Sequence, residues 1–486
     1  MSLATKSLNA VKSNFLGTVI RAGAQLAAQI LIMRELGPEL VGTFGYVLLL
    51  HGLLALIIDQ GFGWSLIQGN LDDKKETTIV FSRIMFASAI GMMSVLALSY
   101  PIETYLNNPL VGTIFRYSAL GYLLIGLFSV SQARLRAELR FREIQISITG
   151  AYLAAYLLVG VAMAWAGYGV WALLTAWYVQ GILQVVIGHY FSPHSFKLAN
   201  PFQPTKSGPL GRRVAGINVL NWAVDNSSGV FVGGLGASSL GNFNAASMLA
   251  RTPALHVVQT LQTILFSTAS AIRGDQRRIK HLYLSALAAV SFVVFPAFGY
   301  AVTHAELIIN LLFGSKWLEA ATIFSALALG MIALAISTLS GAILTATGDE
   351  KTVFYSQLAC LGLMIAGLYT AIDFGLLYVG VAVTIAYMAR FLMQVKAIAV
   401  RGAIAASEFF DTIRGPLFIA IIMGIPVTLV FTFASGMMVE AFALLFKCLV
   451  GLLLFRIFPR FFICSALVDL LVRFAVGRRL AAFLKL

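Results

Sequence analysis

The chain has 486 residues, of which 59% are apolar and 11% are charged, and its formal net charge is +14. Soluble domains carry roughly 25% charged residues, so most of this chain must be solvated by lipid or by itself within lipid. An ordinary water-soluble domain is therefore excluded. The three cysteines, Cys360, Cys448 and Cys464, are odd in number and lie in apolar or near-membrane segments. They indicate neither a disulfide framework nor a metal site.

Long apolar runs recur along the chain. A helix that crosses the hydrocarbon core of a bilayer needs about 20 consecutive, mostly apolar residues. Such runs predict an all-α, polytopic membrane protein with about 14 transmembrane helices, the first of them a retained helix, with a cleaved signal as the alternative. The runs, in chain order, are 15–33, 41–62, 78–99, 111–133, 147–166, 168–191, 214–236, 243–266, 281–303, 319–346, 352–372, 376–398, 416–434 and 437–456.

Basic residues are distributed unevenly between the predicted loops. With a cytoplasmic N-terminus, the inner segments are rich in Lys and Arg, whereas the predicted outer loops hold only Arg34 and Lys316. Cytoplasmic loops of membrane proteins carry this excess of positive charge. We therefore expect a multi-pass protein of the bacterial cytoplasmic (inner) membrane with both termini in the cytoplasm. Topology then explains the basic charge, and no nucleic-acid partner is expected.

The pattern L-G-x-x-x-[VL]-G-x-F occurs twice. Leu36–Phe44 joins runs one and two, and Leu235–Phe243 joins runs seven and eight. Because an even number of spans separates the copies, both halves should point the same way, as two parallel six-helix lobes with a substrate site between them. The predicted divisions are an N-terminal lobe (1–191), a proline-rich cytoplasmic linker (192–213), a C-terminal lobe (214–400), two additional transmembrane helices (401–456) and a basic amphipathic cytoplasmic tail (457–486).

Polar side chains within the predicted spans concentrate in the first two helices of each half. Such groups are costly in a membrane and usually face a cavity or a partner. Arg21, Asp225 and Arg251 lie deepest, whereas a residue placed like Asp59, near the inner end, more often caps or snorkels, and one like His51 more often serves helix packing than ligand binding. The candidate residues of a substrate-binding cavity are Arg21, Gln25, Gln29, His51, Asp59, Asn221, Asp225, Asn226, Arg251 and Gln259.

Several features that enzymes need are missing from the sequence. No glycine precedes a lysine, so a Walker A loop is excluded. The predicted loops are too short to hold a nucleotide-sugar domain or a large outer polymerase site, and there is no nucleophile motif. A membrane-bound glycan polymerase or glycosyltransferase is therefore disfavoured. We expect a transporter rather than an enzyme, with no cofactor and no metal.

The order and spacing of several motifs resemble one family, the polysaccharide transporter family of the multidrug/oligosaccharidyl-lipid/polysaccharide (MOP) exporter superfamily. The resemblance covers about residues 15 to 400. The segments that carry it are Met33–Gly42, Asp59–Gln68, Leu135–Arg142, Gly167–Leu173, the pair Asp225 and Asn226, and Leu311–Trp317.

The resemblance implies a MATE-like fold and a flippase that works by alternating access. Its substrate would be an undecaprenyl-pyrophosphate-linked oligosaccharide, moved from the cytoplasmic to the outer leaflet for synthesis of a surface polysaccharide such as O-antigen or exopolysaccharide. The implied partners are this lipid-linked oligosaccharide, membrane lipids and a polysaccharide polymerase or assembly machinery. The alternative is a cation-coupled multidrug exporter of the same superfamily, with Asp225 as its ion or proton site.

Overall fold

The computed structural model describes residues 23–59, 74–138, 140–203, 210–272, 274–402, 404–425 and 437–457. Within these ranges every regular element is helical, which confirms the all-α prediction. Nine helical segments in the described ranges are long and apolar enough to cross a membrane, and they coincide with predicted runs two to six and nine to twelve. The chain is therefore a multi-pass membrane protein, and the total of fourteen spans stays a prediction.

The chain divides into two compact units, Met1–Asn244 and Ala245–Leu486. The boundary falls inside one long helix, whereas the lobes and linker predicted above have other limits and stay predictions. Unit 1 contains α1 (residues 23–36), α2 (Pro38–Asp59), α3 (Lys74–Leu106), α4 (Pro109–Ser118), α5 (Gly121–Ala137), α6 (residues 141–165), α7 (Val170–Phe191), α8 (Leu210–Gly233) and the first residues of α9 (Ala237–Ala271). Unit 2 contains the rest of α9, α10 (Gln276–Thr303), α11 (Ala305–Phe313), α12 (Leu318–Ala346), α13 (Glu350–Ala371), α14 (Leu376–Gly402), α15 (Ala406–Gly424) and α16 (Met437–Ile457).

The two copies of the repeated pattern adopt matching structures in unit 1. Gly37 and Gly236, the first glycine of each copy, both have positive φ, 77° and 115°, a conformation that glycine adopts without steric cost. Each glycine precedes the first residue of a helix, α2 or α9. The repeat therefore uses its first glycine to turn the chain between two helices.

The second glycine of each copy lies against the other copy. A Cβ placed on Gly42 would collide with the carbonyl group of Ala237 and lie 2.8 Å from the amide nitrogen of Gly241. Reciprocally, a Cβ on Gly241 would collide with the carbonyl group of Pro38. Pro38 and Ala237 occupy equivalent positions of the pattern, so the contact has local two-fold symmetry, of the kind seen when one surface meets its own copy. Only residues without a Cβ allow this approach.

The start of the predicted linker is held against unit 1. Arg83 on α3 donates from Nε to the carbonyl oxygen of Pro201 at 2.7 Å and also contacts the carbonyl of Gln203. Arg134 on α5 donates to the carbonyl oxygen of Pro193 at 3.2 Å. Because guanidinium donors of two helices hold backbone carbonyls along it, the segment 192–203 is docked, although it forms neither helix nor strand.

His194 adds an uncharged contact to this docked segment. Its Nδ1 lies 3.2 Å from the hydroxyl oxygen of Ser131 on α5, and its ring packs edge-on against Phe81 at a centroid distance of 5.5 Å. The pKa of His194 is lowered to about 4, chiefly by burial; a backbone hydrogen bond at Ser192 opposes the shift, whereas the nearby His189 and Arg134 act in the same direction as burial. The imidazole is therefore neutral at pH 7.

Unit 2 is built around α12, which is buried along most of its length. This helix packs against α10 and α14, and α14 packs against α13. Trp317, just before α12, is fully buried, and the Thr384 hydroxyl on α14 donates to the carbonyl oxygen of Ala326 on α12 at 2.7 Å. Small residues such as Gly330, whose Cβ position lies 2.7 Å from the Thr384 hydroxyl oxygen, let the two helices approach closely.

A buried lysine joins α16 to the rest of unit 2. Lys447 is 6% exposed, and its ammonium donates to the carbonyl oxygens of Ile425 at 2.5 Å and Met423 at 3.3 Å, at the end of α15. It also lies 3.2 Å from Nε2 of His304, which follows α10, and 5.6 Å from the ring centroid of Tyr300. A cation is favourable at the carboxyl end of a helix, where carbonyl groups lack helical partners. Lys447 thus ties α16 to α15 and α10.

Candidate functional site

The structure distributes the predicted site residues over both units. In unit 1, Gln25 and Gln29 are half-buried on α1, and Asp59 is the last residue of α2. Arg21 and the side chain of Asp59 lie outside the described residues. The structure therefore describes no contact of Arg21, and the proposed role of that arginine rests on the sequence.

The predicted polar residues of α8 lie beside α2 in unit 1. Asn221 and Asn226 are half-buried, whereas Asp225 is exposed, and the Asn226 amide donates to the carbonyl oxygen of Trp222 at 2.9 Å. The phenol of Tyr46 on α2 donates to the carbonyl oxygen of Gly233 at 2.6 Å. The first helix of the second predicted half therefore packs directly on α2. In unit 2, Arg251 is half-buried and Gln259 is exposed, both on α9.

His51 lines a partly open cavity of unit 1. Its ring lies 4.9 Å from that of Trp177 on α7, edge to face, and 5.5 Å from that of Tyr122 on α5. Its Nδ1 is buried and has no hydrogen-bond partner among the described residues. The structure thus places His51 among α5 and α7 rather than beside the polar residues of α8.

The cavity beside His51 has a volume of about 260 Å³. Its polar lining includes Ser129 and Gln132 from α5 and Gln180 and Gln184 from α7. The two α7 glutamines are four residues apart, so they share one face of that helix, and Trp177 stands on the same face one turn earlier. Gln132, Gln180 and Gln184 were not among the site residues predicted from the sequence, although the four-residue spacing of Gln180 and Gln184, in a run that must cross the membrane, was a signal for those two.

A second cavity, of about 610 Å³, lies in unit 2 among α10, α12 and α14. Two cations line it, Lys280 and Arg401. Each has a carboxylate partner: Lys280 lies 2.6 Å from Glu408, and Arg401 lies 2.5 Å from the buried Asp349. The Lys280 ammonium, with a backbone hydrogen bond from Ala405, holds the pKa of Glu408 below its usual range. These pairs neutralise the two cations, so they give the cavity no excess positive charge.

Comparison with known proteins identifies the family. The family described as "Polysaccharide biosynthesis protein" matches residues 31–322, more than half of the chain. The chain belongs to this family. The matched region includes both copies of the repeated pattern, α2 to α7, and the helices α8 and α9 that carry Asp225 and Arg251.

Three curated relatives have related names. The chain is 23% identical over 321 residues to the lipopolysaccharide biosynthesis protein WzxC of Escherichia coli (strain K12), a match that covers 65% of each chain. It is 25% identical over 383 residues to the teichuronic acid biosynthesis protein TuaB of Bacillus subtilis (strain 168), covering 76% of this chain and 77% of TuaB. It is 26% identical over 312 residues to the succinoglycan biosynthesis transport protein ExoT of Rhizobium meliloti (strain 1021), covering 62% and 61%. The matches to WzxC and ExoT thus span less than two thirds of those proteins.

Solved structures share the fold. The lipid II flippase MurJ in an inward closed conformation superposes with a TM-score of 0.71 and 15% identity, covering 92% of this chain and 98% of MurJ. An inward-facing MATE family multidrug resistance transporter of the MOP superfamily gives a TM-score of 0.60 and 13% identity, covering 79% and 98%. The predicted MATE-like fold is therefore confirmed, and the family and its spans make the chain a multi-pass protein of the inner membrane.

Proposed function

We propose that this protein is a flippase that moves an undecaprenyl-pyrophosphate-linked oligosaccharide from the cytoplasmic to the outer leaflet, by alternating access, for synthesis of a surface polysaccharide. The observation that carries the proposal is membership of the polysaccharide biosynthesis family, together with relatives named for lipopolysaccharide biosynthesis and for transport in succinoglycan biosynthesis. The protein would act as a transporter and not as an enzyme. A polysaccharide polymerase or assembly machinery would be its partner downstream.

The proposed substrate accounts for the kinds of side chain in the predicted site. A pyrophosphate requires cations, and the planar guanidinium of arginine forms paired hydrogen bonds to phosphate oxygens. We assign this role to Arg21 and Arg251, with Asp225 as a counter-charge. The amides at Gln25, Gln29, Asn221, Asn226 and Gln259, with His51 and Asp59, would serve polar parts of the substrate.

A multidrug exporter is the competing function. Its support is the likeness to MATE transporters, which concerns the fold alone at 13% identity, whereas relatives recognised by sequence carry polysaccharide names. The flippase proposal is therefore preferred.

The proposal includes an orientation with both termini in the cytoplasm, supported by the excess of Lys and Arg in the inner segments. A membrane-impermeant thiol reagent added to intact cells should label Lys316→Cys, in a predicted outer loop, and should leave Arg140→Cys, in a predicted inner loop, unlabelled. A background without Cys360, Cys448 and Cys464 removes competing thiols. Labelling of Arg140→Cys without labelling of Lys316→Cys would indicate the opposite orientation.

Deletion of the gene tests the function in the cell. The surface polysaccharide should disappear, and its lipid-linked precursor should accumulate at the cytoplasmic face, because synthesis continues while the export step is blocked. A plasmid copy of the wild-type gene should restore the polysaccharide. Unchanged polysaccharide together with new sensitivity to drugs would instead support the multidrug exporter.

A further inference from the structure

The cavity beside His51 in unit 1 has no role in the sites described above apart from its contact with His51. We propose that it is a binding site for a single neutral sugar residue, held by the amides of Gln132, Gln180 and Gln184 and by the indole of Trp177. This inference rests on the proposed flippase function, because it assigns the site to one sugar of the transported glycan.

The three glutamine amides require partners that the described protein does not supply. Each primary amide offers a carbonyl acceptor and two N–H donors. Gln132, Gln180 and Gln184 line the cavity, and none of them has a hydrogen bond to the described residues. Polar groups left unpaired in an apolar surrounding are costly, so amides in membrane-crossing helices call for a ligand or water. Sugar hydroxyls both donate and accept, which matches the amide groups.

Aromatic groups complete the site. Trp177 lines the cavity next to His51, and its ring occupies the space that a Cβ on Gly121 would fill. An indole presents a large apolar face with one polar N–H, which suits the C–H face of a sugar ring. The buried Nδ1 of His51 has no partner among the described residues, so it adds a further hydrogen-bonding position beside the indole.

The charge of the lining residues and the volume of the cavity limit which class of ligand it can bind. Within the described lining there is no Lys, Arg, Asp or Glu, so neither the pyrophosphate nor a cationic drug would find a counter-charge. A neutral, polyhydroxylated ligand fits this lining. Pockets for drug-sized ligands span roughly 300–1,000 Å³, and a cavity of about 260 Å³ suits one sugar ring rather than an oligosaccharide.

The helices that form the cavity are held close together. A Cβ on Gly181 of α7 would lie 2.9 Å from Cδ1 of Leu124 on α5, and a Cβ on Gly188 would lie 2.7 Å from the ring of Phe128. These glycines therefore set a short distance between α5 and α7 on both sides of Gln184. Close packing of this kind keeps a binding site preformed, which lowers the entropy lost when the ligand binds.

The test measures binding to the purified full-length protein in lipid nanodiscs. The probes are the methyl glycosides of glucose, galactose and N-acetylglucosamine, observed by saturation-transfer NMR, with inorganic phosphate and tetraethylammonium as charged comparisons. The main variant is Gln180→Leu with Gln184→Leu, which keeps side-chain size and suits a membrane helix. Gln145→Leu is the matched control, because Gln145 is exposed on α6 and does not line the cavity. Trp177→Leu is a second, independent variant.

We expect saturable binding of at least one glycoside to the wild type and to Gln145→Leu. Loss of two hydrogen-bonding amides should weaken this binding roughly ten-fold or more, and Trp177→Leu should weaken it as well. The site is refuted if no glycoside binds the wild type, if a charged probe binds in its place, or if both cavity variants, correctly folded, bind as the wild type does.

Polysaccharide export separates this inference from the function on which it rests. If deletion of the gene stops export but the Gln180→Leu, Gln184→Leu protein exports normally at wild-type abundance, the sugar site is wrong and the flippase proposal stands. If deletion of the gene leaves export intact, the flippase proposal fails. The sugar site then still stands, provided that the wild-type protein binds the glycoside and the double variant does not.

Discussion

A single methyl group added at Gly241 should sharply reduce the amount of folded protein in the membrane. The Cβ of Gly241→Ala would collide with the carbonyl group of Pro38, and its Cβ position lies 3.0 Å from the Pro38 Cα. Backbone atoms cannot rotate away as a side chain can, so α2 and α9 must separate. Overpacking of this kind typically costs about 1–3 kcal/mol. The reciprocal change Gly42→Ala should have the same effect, because its Cβ would collide with the carbonyl group of Ala237, the residue equivalent to Pro38.

Gly362→Ala is the matched control. Gly362 is also helical, on α13, but nothing lies within 4 Å of its Cβ position, and alanine favours a helix over glycine by about 1 kcal/mol. The melting temperature in detergent, read by fluorescence-detected size-exclusion chromatography, should fall for Gly241→Ala and Gly42→Ala and hold or rise for Gly362→Ala. Equal melting temperatures for all three variants would contradict the reciprocal contact.

Arg251→Lys should abolish most transport while the protein still accumulates normally. If Arg251 binds the substrate pyrophosphate, lysine keeps the charge but loses the fork that forms two parallel hydrogen bonds. A hydrogen bond to a charged group contributes about 1.5–3 kcal/mol, so the rate should fall roughly ten-fold or more. The measurement is the rate of flipping in reconstituted vesicles, normalised to the amount of folded protein.

Arg278→Lys serves as the control for that experiment. Arg278 is well exposed at the start of α10 and pairs with Asp275 at 3.1 Å, and exposed pairs contribute only about 0–1 kcal/mol. Its flipping rate should match the wild type. A wild-type flipping rate in Arg251→Lys would show that Arg251 does not bind the substrate pyrophosphate. A joint fall of rate and abundance in Arg251→Ala, reversed by also neutralising a carboxylate partner, would instead assign Arg251 to helix packing.

Much of the fold could be predicted because a bilayer imposes one strong rule. A run of about 20 apolar residues has to form a helix that satisfies its own backbone, and nine such runs appear as helices within the described ranges. The ends of the helices are less predictable than their presence. The run 78–99 became Lys74–Leu106. The run 111–133 became two helices: the first begins after Asn108, whose side chain accepts hydrogen bonds from the amides of Leu110 and Val111, and the chain turns at Ala119 and Leu120 before the second.

Contacts between segments that are distant in the chain could not be predicted from the sequence. The repeated pattern predicted two equivalent turns, but not that Gly42 and Gly241 touch each other's copies. The prolines of residues 192–213 predicted a linker, but not that Arg83 and Arg134 hold backbone carbonyls in its first part. The cavity glutamines could not be predicted from single spans, because Gln132 and Gln184 line one cavity only when α5 and α7 pack together.

Reconstitution of the purified wild-type protein tests the central claim most directly. Proteoliposomes would carry a lipid-linked oligosaccharide on a prenyl pyrophosphate in the inner leaflet, and a membrane-impermeant glycosidase outside would report each sugar chain that reaches the outer leaflet. We predict rapid, protein-dependent exposure of the glycan, while vesicles without protein stay near the slow spontaneous rate. Glycan exposure no faster than in protein-free vesicles, with correctly folded wild-type protein present, would contradict the proposal that this protein flips a lipid-linked oligosaccharide.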